Sequence, residues 1–402
     1  MHPFRAVLLA PALLSLAACR EARAPALALE GSVSLTESVP SESSLAPSPF
    51  LATDAAWLGL VDRARTRLDL AFFYASDAPP SRLTPIVEAI VRARRRGVHV
   101  RAVFEKVFLS QYPIIPEHFR REGIDVRLCD RSATTGGIVH TKMMARDGVE
   151  AWVGSANFDW RSLEHIHELG VLVANKALAE HVHALVGMDM TLADDQLPAV
   201  TETLPVAKYV HLAFNGGAVD AAFGASPRGW LPEGTPWDWP ELQRIIDEAK
   251  RTLTIELMSY GTHMRDGSTW TALDDALRRA ADRGVAVTLV VSSWAATGKH
   301  RESLAALQHV GVRVRVVTIA PHSSGPIPFA RVIHGKAVAA DGEQCWVGTS
   351  NGEGDYFLKS RNAGFFLRSI DVCAALQRRI DAIAAGPEAT DFAASSGPEL
   401  PH

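Results

Sequence analysis

Two groups of residues in this 402-residue chain repeat the same residue types at the same spacing. Each group has a histidine, a lysine two positions later, an aspartate five positions after the lysine and an asparagine 17 positions after the histidine. The members are His140, Lys142, Asp147 and Asn157 in the first group and His334, Lys336, Asp341 and Asn351 in the second. One such group would be weak support for a site, because histidine and lysine often occur at a solvated strand end. Two groups with equal offsets predict a functional site.

Paired imidazoles, ammonium groups and carboxamides suit the cleavage of a phosphodiester bond. Phosphoryl transfer places the nucleophile and the leaving-group acid on opposite sides of phosphorus, and one histidine from each group would supply this opposition. A neutral imidazole would attack and form a phosphohistidine, while the other imidazole protonates the leaving oxygen. The lysines and asparagines would stabilise the non-bridging oxygens. We therefore expect no metal ion and no other cofactor.

The remaining polar residues of the two groups are given supporting roles. We assign Asp147 and Asp341 to structure and to charge balance around the lysines, not to proton transfer. Ser155 and Ser350 lie in the small-residue stretches that end at the two asparagines, Gly154-Ser155-Ala156-Asn157 and Gly348-Thr349-Ser350-Asn351. The tight turn at each glycine would let the asparagine approach the same point as the histidine and lysine.

Repeated strand–helix–strand segments precede the two groups. The predicted elements are a strand over 68–74, a helix over about 83–96 and a strand over 98–104, then a strand over 253–258, a helix over about 271–283 and a strand over 285–291. Gly97 and Gly284 would end the two helices, because glycine adopts the left-handed cap conformation at little cost. Such units favour mixed sheets flanked by helices. We predict an α/β fold of two tandem units, packed as a pseudo-twofold pair with one shared active site, and histidine and lysine on one strand face.

Both groups resemble the HKD signature of the phospholipase D superfamily, and the resemblance covers about residues 32–385. The branch of the animal phospholipase D3 and D4 proteins and of the poxviral envelope and nickase proteins is the most similar. This similarity is carried by His140-Thr141-Lys142, Gly154–Ser162, Glu168-Leu169-Gly170, Ser292-Ser293-Trp294, Ala330-Arg331-Val332, Gly348–Asn351 and Gly354-Asp355-Tyr356-Phe357. It implies a metal-independent phosphodiesterase. In the animal members it implies a 5′ exonuclease on single-stranded nucleic acid, to which lysophospholipid transferase activity is also attributed.

The resemblance also implies roles for the residues 28 positions after each histidine. In the superfamily an acidic side chain near this position orients the histidine of the opposite half, so Glu168 would hold His334. Asn362 stands at the matching position for His140, which would lack a carboxylate partner. An orienting carboxylate raises the basicity of its histidine, which favours His334 as nucleophile and His140 as general acid. Gly352 replaces a usual tryptophan, so part of the substrate rim is expected to differ.

The N-terminus has the pattern of a bacterial lipoprotein signal. The apolar run over 6–16 is too short to remain as a membrane-spanning helix, and it leads into Leu16-Ala17-Ala18-Cys19. A plain secretory signal is the alternative. Arg20 follows, as in Gram-negative lipoproteins of the outer membrane, so we expect Cys19 to carry lipid and to anchor the protein in the bacterial cell envelope. The expected divisions are a signal peptide over 1–18, a tether over 19–31, domains over 32–200 and 201–390, and a tail over 391–402.

Charge and composition leave two classes of substrate open. A net charge of −4 argues against a broad basic surface for duplex DNA, but a small anion pocket needs only a few cations. Single-stranded nucleic acid and membrane phospholipid both present a phosphodiester, so a phospholipase or transphosphatidylase is the alternative enzyme. The alternative outside enzymes is an inactive lipid- or nucleic-acid-binding scaffold, against which the intact histidines and lysines argue. No obligatory protein partner is implied.

Several other cysteines, histidines and tryptophans are of residue types that often occur in functional sites, and we interpret most of them as structural. We interpret Cys129, Cys345 and Cys373 as buried thiols and leave a Cys345–Cys373 bridge open. The pairs His165/His167 and His181/His183 are predicted to lie on solvated helix faces. Trp230, Trp237 and Trp239 would either lie in a loop buried between the halves or stack bases or meet lipid.

Overall fold

The computed structural model describes residues 29–46, 48–193 and 205–393. The predicted signal peptide, Cys19, most of the tether, the boundary between the two predicted domains and most of the predicted tail lie outside these residues. Within them, the six strands and helices predicted for the two repeats are all present, with ends within two residues of the expected ones.

The described part of the first half contains ten strands and six α-helices. The strands are β1 (Ser32–Ser38), β2 (Leu51–Ala52), β3 (Arg67–Phe72), β4 (Ala75–Ser76), β5 (His99–Glu105), β6 (Asp125–Cys129), β7 (Lys142–Arg146), β8 (Glu150–Gly154), β9 (Phe158–Asp159) and β10 (Glu168–Ala174). The helices are α1 (Thr53–Arg63), α2 (Thr84–Arg95), α3 (Ile114–Arg121), α4 (Ser132–Thr135), α5 (Trp160–Glu164) and α6 (Lys176–Ala193).

The second half repeats this order in its described part. Its strands are β11 (Val210–Phe214), β12 (Gly217–Ser226), β13 (Thr252–Leu257), β14 (Ala286–Ser292), β15 (Arg313–Val317), β16 (Ala337–Ala340), β17 (Gln344–Gly348), β18 (Asn362–Arg368) and β19 (Ala389–Asp391). Its helices are α7 (Asp238–Glu248), α8 (Ala272–Asp282), α9 (Gly298–His309), α10 (Gly354–Leu358) and α11 (Ile370–Ala385). Because β19 pairs with β15 and Phe392 is buried, the folded body extends past the predicted boundary at 390.

Both halves contain the same arrangement of seven strands in a mixed sheet, to which β2 is added beside β1 in the first half, and β11 and β19 at the two edges in the second. The strand order is β6-β5-β3-β7-β8-β10-β1 in the first half and β15-β14-β13-β16-β17-β18-β12 in the second. The first three strands of each order are parallel, and the later neighbours are antiparallel. A parallel bridge between Ser32 of β1 and Ala213 of β11 joins the two sheets. The α/β fold of two tandem units is confirmed.

Helices cover both faces of each sheet, which explains why the central strands are buried along most of their length. In the first half α1 and α2 pack on one face and α6 on the other, and α7, α8 and α11 take the same places in the second half. One apolar cluster includes buried side chains of both halves, so the halves share a core. Gly97 and Gly284 have φ angles of +94° and +82°, which confirms the left-handed caps. None of the described helices is both long and apolar enough to cross a membrane.

Cys345 in β17 and Cys373 in α11 form a disulfide bond. Their Cα atoms are 5.4 Å apart, within the range that a disulfide requires. The interpretation of these two residues as free thiols is therefore wrong, because β17 and α11 pack together and bring the two side chains into register. Cys129 is a buried free thiol, as predicted.

Removal of this disulfide should lower the stability of the second half markedly. The bond closes a loop with a sequence separation of 28 residues, so the unfolded chain without it gains conformational entropy worth roughly 3–4 kcal/mol. We expect the Cys345→Ala, Cys373→Ala double variant to unfold at a lower urea concentration than the wild type. Dithiothreitol should lower the wild-type midpoint and leave that of the double variant unchanged. Equal midpoints for the oxidised wild type and the variant would contradict the prediction.

Candidate active site

Each histidine–lysine pair lies at the entrance to a strand of the central sheet. Lys142 is the first residue of β7 and Lys336 immediately precedes β16. The two histidines therefore lie before the strands, whereas the sequence had predicted that each histidine lies within a strand together with its lysine. The His140 N–H donates to the carbonyl of Arg361 at 2.9 Å, and the His334 N–H donates to the carbonyl of His167 at 2.8 Å. Each histidine is therefore tied to a backbone segment of the opposite half.

The side chains that follow these segments hold the imidazole rings. Glu168 Oε2 is 2.8 Å from His334 Nδ1, and Asn362 Oδ1 is 3.1 Å from His140 Nδ1. The Asn362 amide is oriented by the Thr349 hydroxyl, which donates to Oδ1, so His140 Nδ1 must also donate there. The expected contact of Glu168 with His334 is present, and Asn362 takes the matching place at His140, which lacks a carboxylate partner as expected. Each contact leaves Nε2 as the reactive nitrogen. The catalytic roles of the two histidines stay predictions.

Burial lowers the pKa of both imidazoles. The pKa of His334 is lowered by desolvation, and the Glu168 carboxylate partly offsets this effect. The pKa of His140 lies well below its ordinary value because of burial and because Lys142 and Lys336 repel a second positive charge. Both rings are therefore neutral at pH 7 in the empty site, and His140 is the more difficult of the two to protonate.

Two buried lysines lie between the halves. Lys142 Nζ donates to the carbonyl of His140 at 2.7 Å, and Lys336 Nζ donates to that of His334. Neither lysine forms an ion pair with any described residue. Burial lowers the pKa of Lys336 to about 7, and burial together with the charge of Lys336 lowers the pKa of Lys142 well below its ordinary value. An anion between them would relieve this destabilisation, so the arrangement favours a phosphate group.

The two aspartates of the repeated groups lie at the other end of the strands. Asp147 accepts the backbone N–H groups of residues 65–67, and Asp341 accepts those of residues 250–252. The prediction of a structural role is confirmed, but that of charge balance around the lysines is wrong. The charge partner of Asp147 is Arg146, because the intervening strand separates the aspartate from Lys142.

The serine and asparagine predictions have different outcomes. Ser155 Oγ accepts the Leu169 N–H at 2.9 Å and thus fixes the strand that begins with Glu168. Ser350 is buried and its hydroxyl has no partner in the described structure, so a supporting contact is not found for it. Thr349 takes that place, since it accepts the Ala363 N–H and donates to Asn362. Ser155 lies 15 positions after His140, and Thr349 lies 15 positions after His334. This equal spacing could have identified Thr349 as the supporting residue, but the sequence analysis did not use it.

The two asparagines offer carboxamide groups to the site. Asn351 Nδ2 donates to the Tyr356 hydroxyl at 3.1 Å, and the Tyr356 ring lies 4.9 Å from the His140 ring. The Oδ1 atoms of Asn157 and Asn351 are buried and have no hydrogen-bond partner among the described residues. Both residues therefore have hydrogen-bonding capacity left for a bound group.

Sequence reasoning also missed a buried charge cluster behind His334. His167 is fully buried, with Nδ1 2.8 Å from Glu256 and Nε2 2.6 Å from Glu37, so both nitrogens donate to carboxylates. These carboxylates outweigh the effect of burial and raise the pKa of His167 to about 10. Arg361, which stands at the same offset from His334 as His167 does from His140, pairs with Asp189 behind His140. The backbone carbonyls that accept the N–H groups of His140 and His334 thus belong to two buried, positively charged residues, Arg361 and His167.

The prediction of solvated helix faces for the H-x-H pairs is wrong. His165 and His167 follow α5 and are buried, because the segment passes between the halves. His183 lies on the inner face of α6, where Nδ1 contacts Asp69 at 2.6 Å and Nε2 accepts the Gly148 N–H. His181 is half-buried against Phe223. In the described residues no group of three potential ligands could hold a metal ion.

Two cavities open beside the catalytic residues and share Met258 and Trp294. The aromatic cavity, of about 240 Å³, is lined by Phe73, Tyr74, Phe108, Gln111, Tyr112, Asn157, Ile166, Met258, Trp294, Phe329, Val332 and His334. The polar cavity, of about 550 Å³, is lined by Met258, Ser259, Gly261, His263, Met264, Arg265, Trp294, Ala295, Lys299, His300, Glu353 and Tyr356. One cavity therefore contacts His334 directly, and the other reaches His140 through Tyr356.

Trp230, Trp237, Trp239 and Gly352, which the sequence singled out, are absent from the described linings of both cavities. Trp239 is buried in the second half, while Trp230 and Trp237 pack partly buried against the core, as the loop interpretation predicted. Gly352 is buried beneath the site, and a Cβ there would lie 2.8 Å from Leu257 and 3.0 Å from Tyr260. Because Gly352 lines neither cavity, the expectation that it alters the substrate rim stays a prediction.

Comparison with known proteins assigns the chain to a family. The family described as "Cardiolipin synthase, PLD-like domain" matches residues 58–189 and 242–384, one match in each half. The chain therefore belongs to the phospholipase D-like family. Together with the paired histidines and lysines, this membership identifies the protein as a phosphodiesterase of the phospholipase D superfamily.

Curated relatives have two kinds of name. The chain is 30% identical over 379 residues to phospholipase D Z of Dictyostelium discoideum, covering 88% of this chain and 89% of that protein. It is 30% identical over 339 residues to 5'-3' exonuclease PLD3 of Bos taurus, covering 77% of this chain and 69% of that protein. A relative in Caenorhabditis elegans, named "Probable phospholipase D", is 27% identical over 363 residues, and the chain spans 65% of its length.

Solved structures share the fold at low identity. Phosphatidylserine synthase of Haemophilus influenzae aligns with a TM-score of 0.59 and 10% identity over 87% of this chain and 86% of that one. Polyphosphate kinase of Porphyromonas gingivalis aligns with a TM-score of 0.55 and 11% identity over 88% of this chain and 51% of that one. At these identities the likeness concerns the arrangement of the two α/β units and not the substrate.

Proposed function

We propose that this protein is a 5′ exonuclease on single-stranded nucleic acid. The aromatic cavity beside His334 carries the proposal. Its walls include the stacked rings of Tyr74 and Tyr112, whose centroids are 4.8 Å apart, and Trp294 and Phe329 extend the aromatic surface. Flat aromatic surfaces stack nucleobases without regard to sequence. The similarity to a relative named as a 5'-3' exonuclease agrees with this use of the cavity.

In the proposed reaction His334 is the nucleophile. Binding of the phosphodiester anion beside the two lysines offsets the repulsion that lowers the pKa of His140, so His140 takes up a proton at Nε2 when the substrate binds. The Nε2 lone pair of His334 then forms a bond to phosphorus, the bond between phosphorus and the leaving oxygen breaks, and the proton on His140 Nε2 passes to that oxygen. Water then attacks phosphorus, His140 accepts the proton of that water, and the bond to His334 breaks. Glu168 stabilises the positive charge on the phosphohistidine, while the lysines and asparagines stabilise the phosphoryl oxygens.

A comparison of linear and circular single strands tests the proposed polarity and end dependence. In EDTA, purified soluble protein should release mononucleotides from the 5′ end of a linear oligonucleotide and leave a closed circular strand intact. An oligonucleotide labelled at either end gives the direction of release. Efficient cutting of the circle would contradict the exonuclease proposal. Loss of all activity in EDTA with recovery in Mg²⁺ or Zn²⁺ would contradict the metal-free reaction.

A phospholipase is the second candidate function, and exposed apolar residues near the aromatic cavity favour it. Trp294 and Phe329 line the cavity, Val107 and Ile114 adjoin its lining residues Phe108 and Tyr112, and all four are exposed. Such a rim would also suit contact with a lipid surface. Release of headgroups from phosphatidylglycerol vesicles, together with inactivity on every oligonucleotide, would select this function.

We also propose that the protein is exported and lipid-anchored in the bacterial outer membrane. The disulfide between Cys345 and Cys373 supports export, because disulfides persist in oxidising compartments. The proposed anchor, Cys19, lies outside the described residues. A Cys19→Ser variant should remain unprocessed or appear in the soluble periplasmic fraction. Unchanged processing and membrane fractionation of that variant would contradict lipidation.

A further inference from the structure

The polar cavity differs in charge from the aromatic cavity beside it. Arg265 and Lys299 line the polar cavity, are exposed and form no ion pair with any described residue. No lysine or arginine lines the aromatic cavity. The two cavities therefore offer different groups to a nucleotide chain, since the aromatic cavity presents rings and the polar cavity presents exposed cations.

Two histidines add hydrogen-bonding capacity to the polar cavity. The Nδ1 atom of His263 is buried and has no partner in the described structure. His300 uses Nδ1 to donate to the carbonyl of Tyr260 at 2.9 Å, which leaves Nε2 free of that bond. Ser259 also lines the cavity, but its hydroxyl already donates to Glu353 at 2.5 Å.

Carboxylates near the polar cavity are mostly committed to other groups. Glu353 is the one carboxylate in the described lining of this cavity. It accepts the Ser259 hydroxyl, and its charge partly offsets the lowering of the Lys336 pKa by burial. Asp266, which follows Arg265, pairs with Lys359 at 2.6 Å. Arg265 and Lys299 therefore outnumber the one lining carboxylate, and the cavity favours an anion with several charges.

The position of the polar cavity indicates which part of a substrate it binds. It reaches the catalytic centre at Tyr356, whose ring contacts His140, the proposed acid for the leaving oxygen. The aromatic cavity contacts His334, the proposed nucleophile, which retains the phosphoryl group. In-line transfer places the leaving group on the side of the acid. The terminal nucleoside would therefore occupy the aromatic cavity and the departing strand the polar one.

We propose that Arg265 and Lys299 bind the backbone phosphates of the departing strand in the polar cavity. This inference rests on the proposed exonuclease function and assigns the two cavities to the two products of each cut. A strand held in this way would contact phosphates beyond the scissile one, whereas a dinucleoside monophosphate has no further phosphate to offer.

The test compares an Arg265→Gln, Lys299→Gln double variant with the wild type. Binding of a fluorescent single-stranded decamer is measured by anisotropy over a series of salt concentrations, and kcat/KM is measured for the decamer and for a dinucleoside monophosphate. Loss of two phosphate contacts should lower the salt slope of log Kd by about 1.4. The preference in kcat/KM for the decamer over the dinucleotide should fall by about tenfold. An Arg279→Gln, Lys250→Gln double variant is the control, because these cations lie outside both cavities.

The outcomes separate this inference from the proposed function. Wild-type cleavage of the decamer, with the same salt slope and the same substrate preference in the variant, would overturn the phosphate site alone. Wild-type binding of the decamer without cleavage, with the expected loss in the variant, would overturn the exonuclease function and support the site. Absence of any wild-type binding to the decamer would overturn both.

Discussion

Replacement of His140 or His334 by alanine is expected to lower kcat on oligonucleotides by at least about 10²–10⁴-fold. The two imidazoles come from opposite halves, and each is held at Nδ1 by a residue of the other half, so neither can substitute for the other. The measurement is single-turnover cleavage of a labelled oligonucleotide. An exposed histidine, His309, provides the matched control variant His309→Ala.

A substrate with a good leaving group should distinguish the two histidines. A p-nitrophenyl phosphodiester needs no protonation of its leaving oxygen, so His140→Ala should release one equivalent of p-nitrophenol rapidly and then stall. The stalled enzyme should carry a phosphohistidine at His334, because the base for water is missing. His334→Ala should show no burst. The reverse pattern would make His140 the nucleophile, a result that its lowered pKa would explain. Substantial activity of either variant on oligonucleotides would contradict the shared site.

The Lys336→Met variant is expected to lose about 10²–10³-fold in kcat/KM, because one preformed donor to the phosphoryl oxygens disappears. Since burial lowers the pKa of Lys336 to about 7, the lysine is charged below that pH and neutral above it. Wild-type kcat/KM should therefore fall as the pH rises through about 7, while the variant should lack this decline.

The control for Lys336 is Lys250→Met, which removes an exposed lysine outside the two cavities. It should keep both the wild-type rate and the wild-type pH profile. A decline near pH 7 that persists unchanged in Lys336→Met would assign the titration to another group. Thermal unfolding of each variant establishes whether a lost rate reflects a lost fold.

Contacts between the halves explain most of the differences between the predicted and the observed site. Equal offsets indicated that Glu168 and Asn362 occupy matching positions, and the resemblance predicted the contact of Glu168 with His334. The contact of Asn362 with His140 was not predicted. The same offsets pair His167 with Arg361 and Ser155 with Thr349, but the residue types differ within each pair. A search for a second serine therefore selected Ser350 and overlooked Thr349, although Thr349 is the residue that forms a hydrogen bond with Asn362.

Burial of polar residues could not be inferred from local patterns. The H-x-H pairs resemble solvated residues in sequence, yet His167 lies between Glu37, on a strand of its own half, and Glu256, on a strand of the other half. A buried charge is stable only when it has partners. Partners that are so distant in the chain cannot be predicted from the spacing of residues in the sequence. The Cys345–Cys373 bond depends in the same way on the packing of α11 against β17.

The sequence by itself determined the repeated α/β unit, the boundaries of the six predicted elements to within two residues, and the candidate residues His140, Lys142, His334 and Lys336. These features are local, because hydrophobic periodicity, glycine caps and short spacings depend only on residues that are close together in the chain. Only the tertiary structure decided how the halves exchange supporting residues, where the two cavities lie and how far burial lowers the pKa values of the histidines and lysines. Those properties depend on distances between residues more than a hundred positions apart, and packing of the two halves sets them.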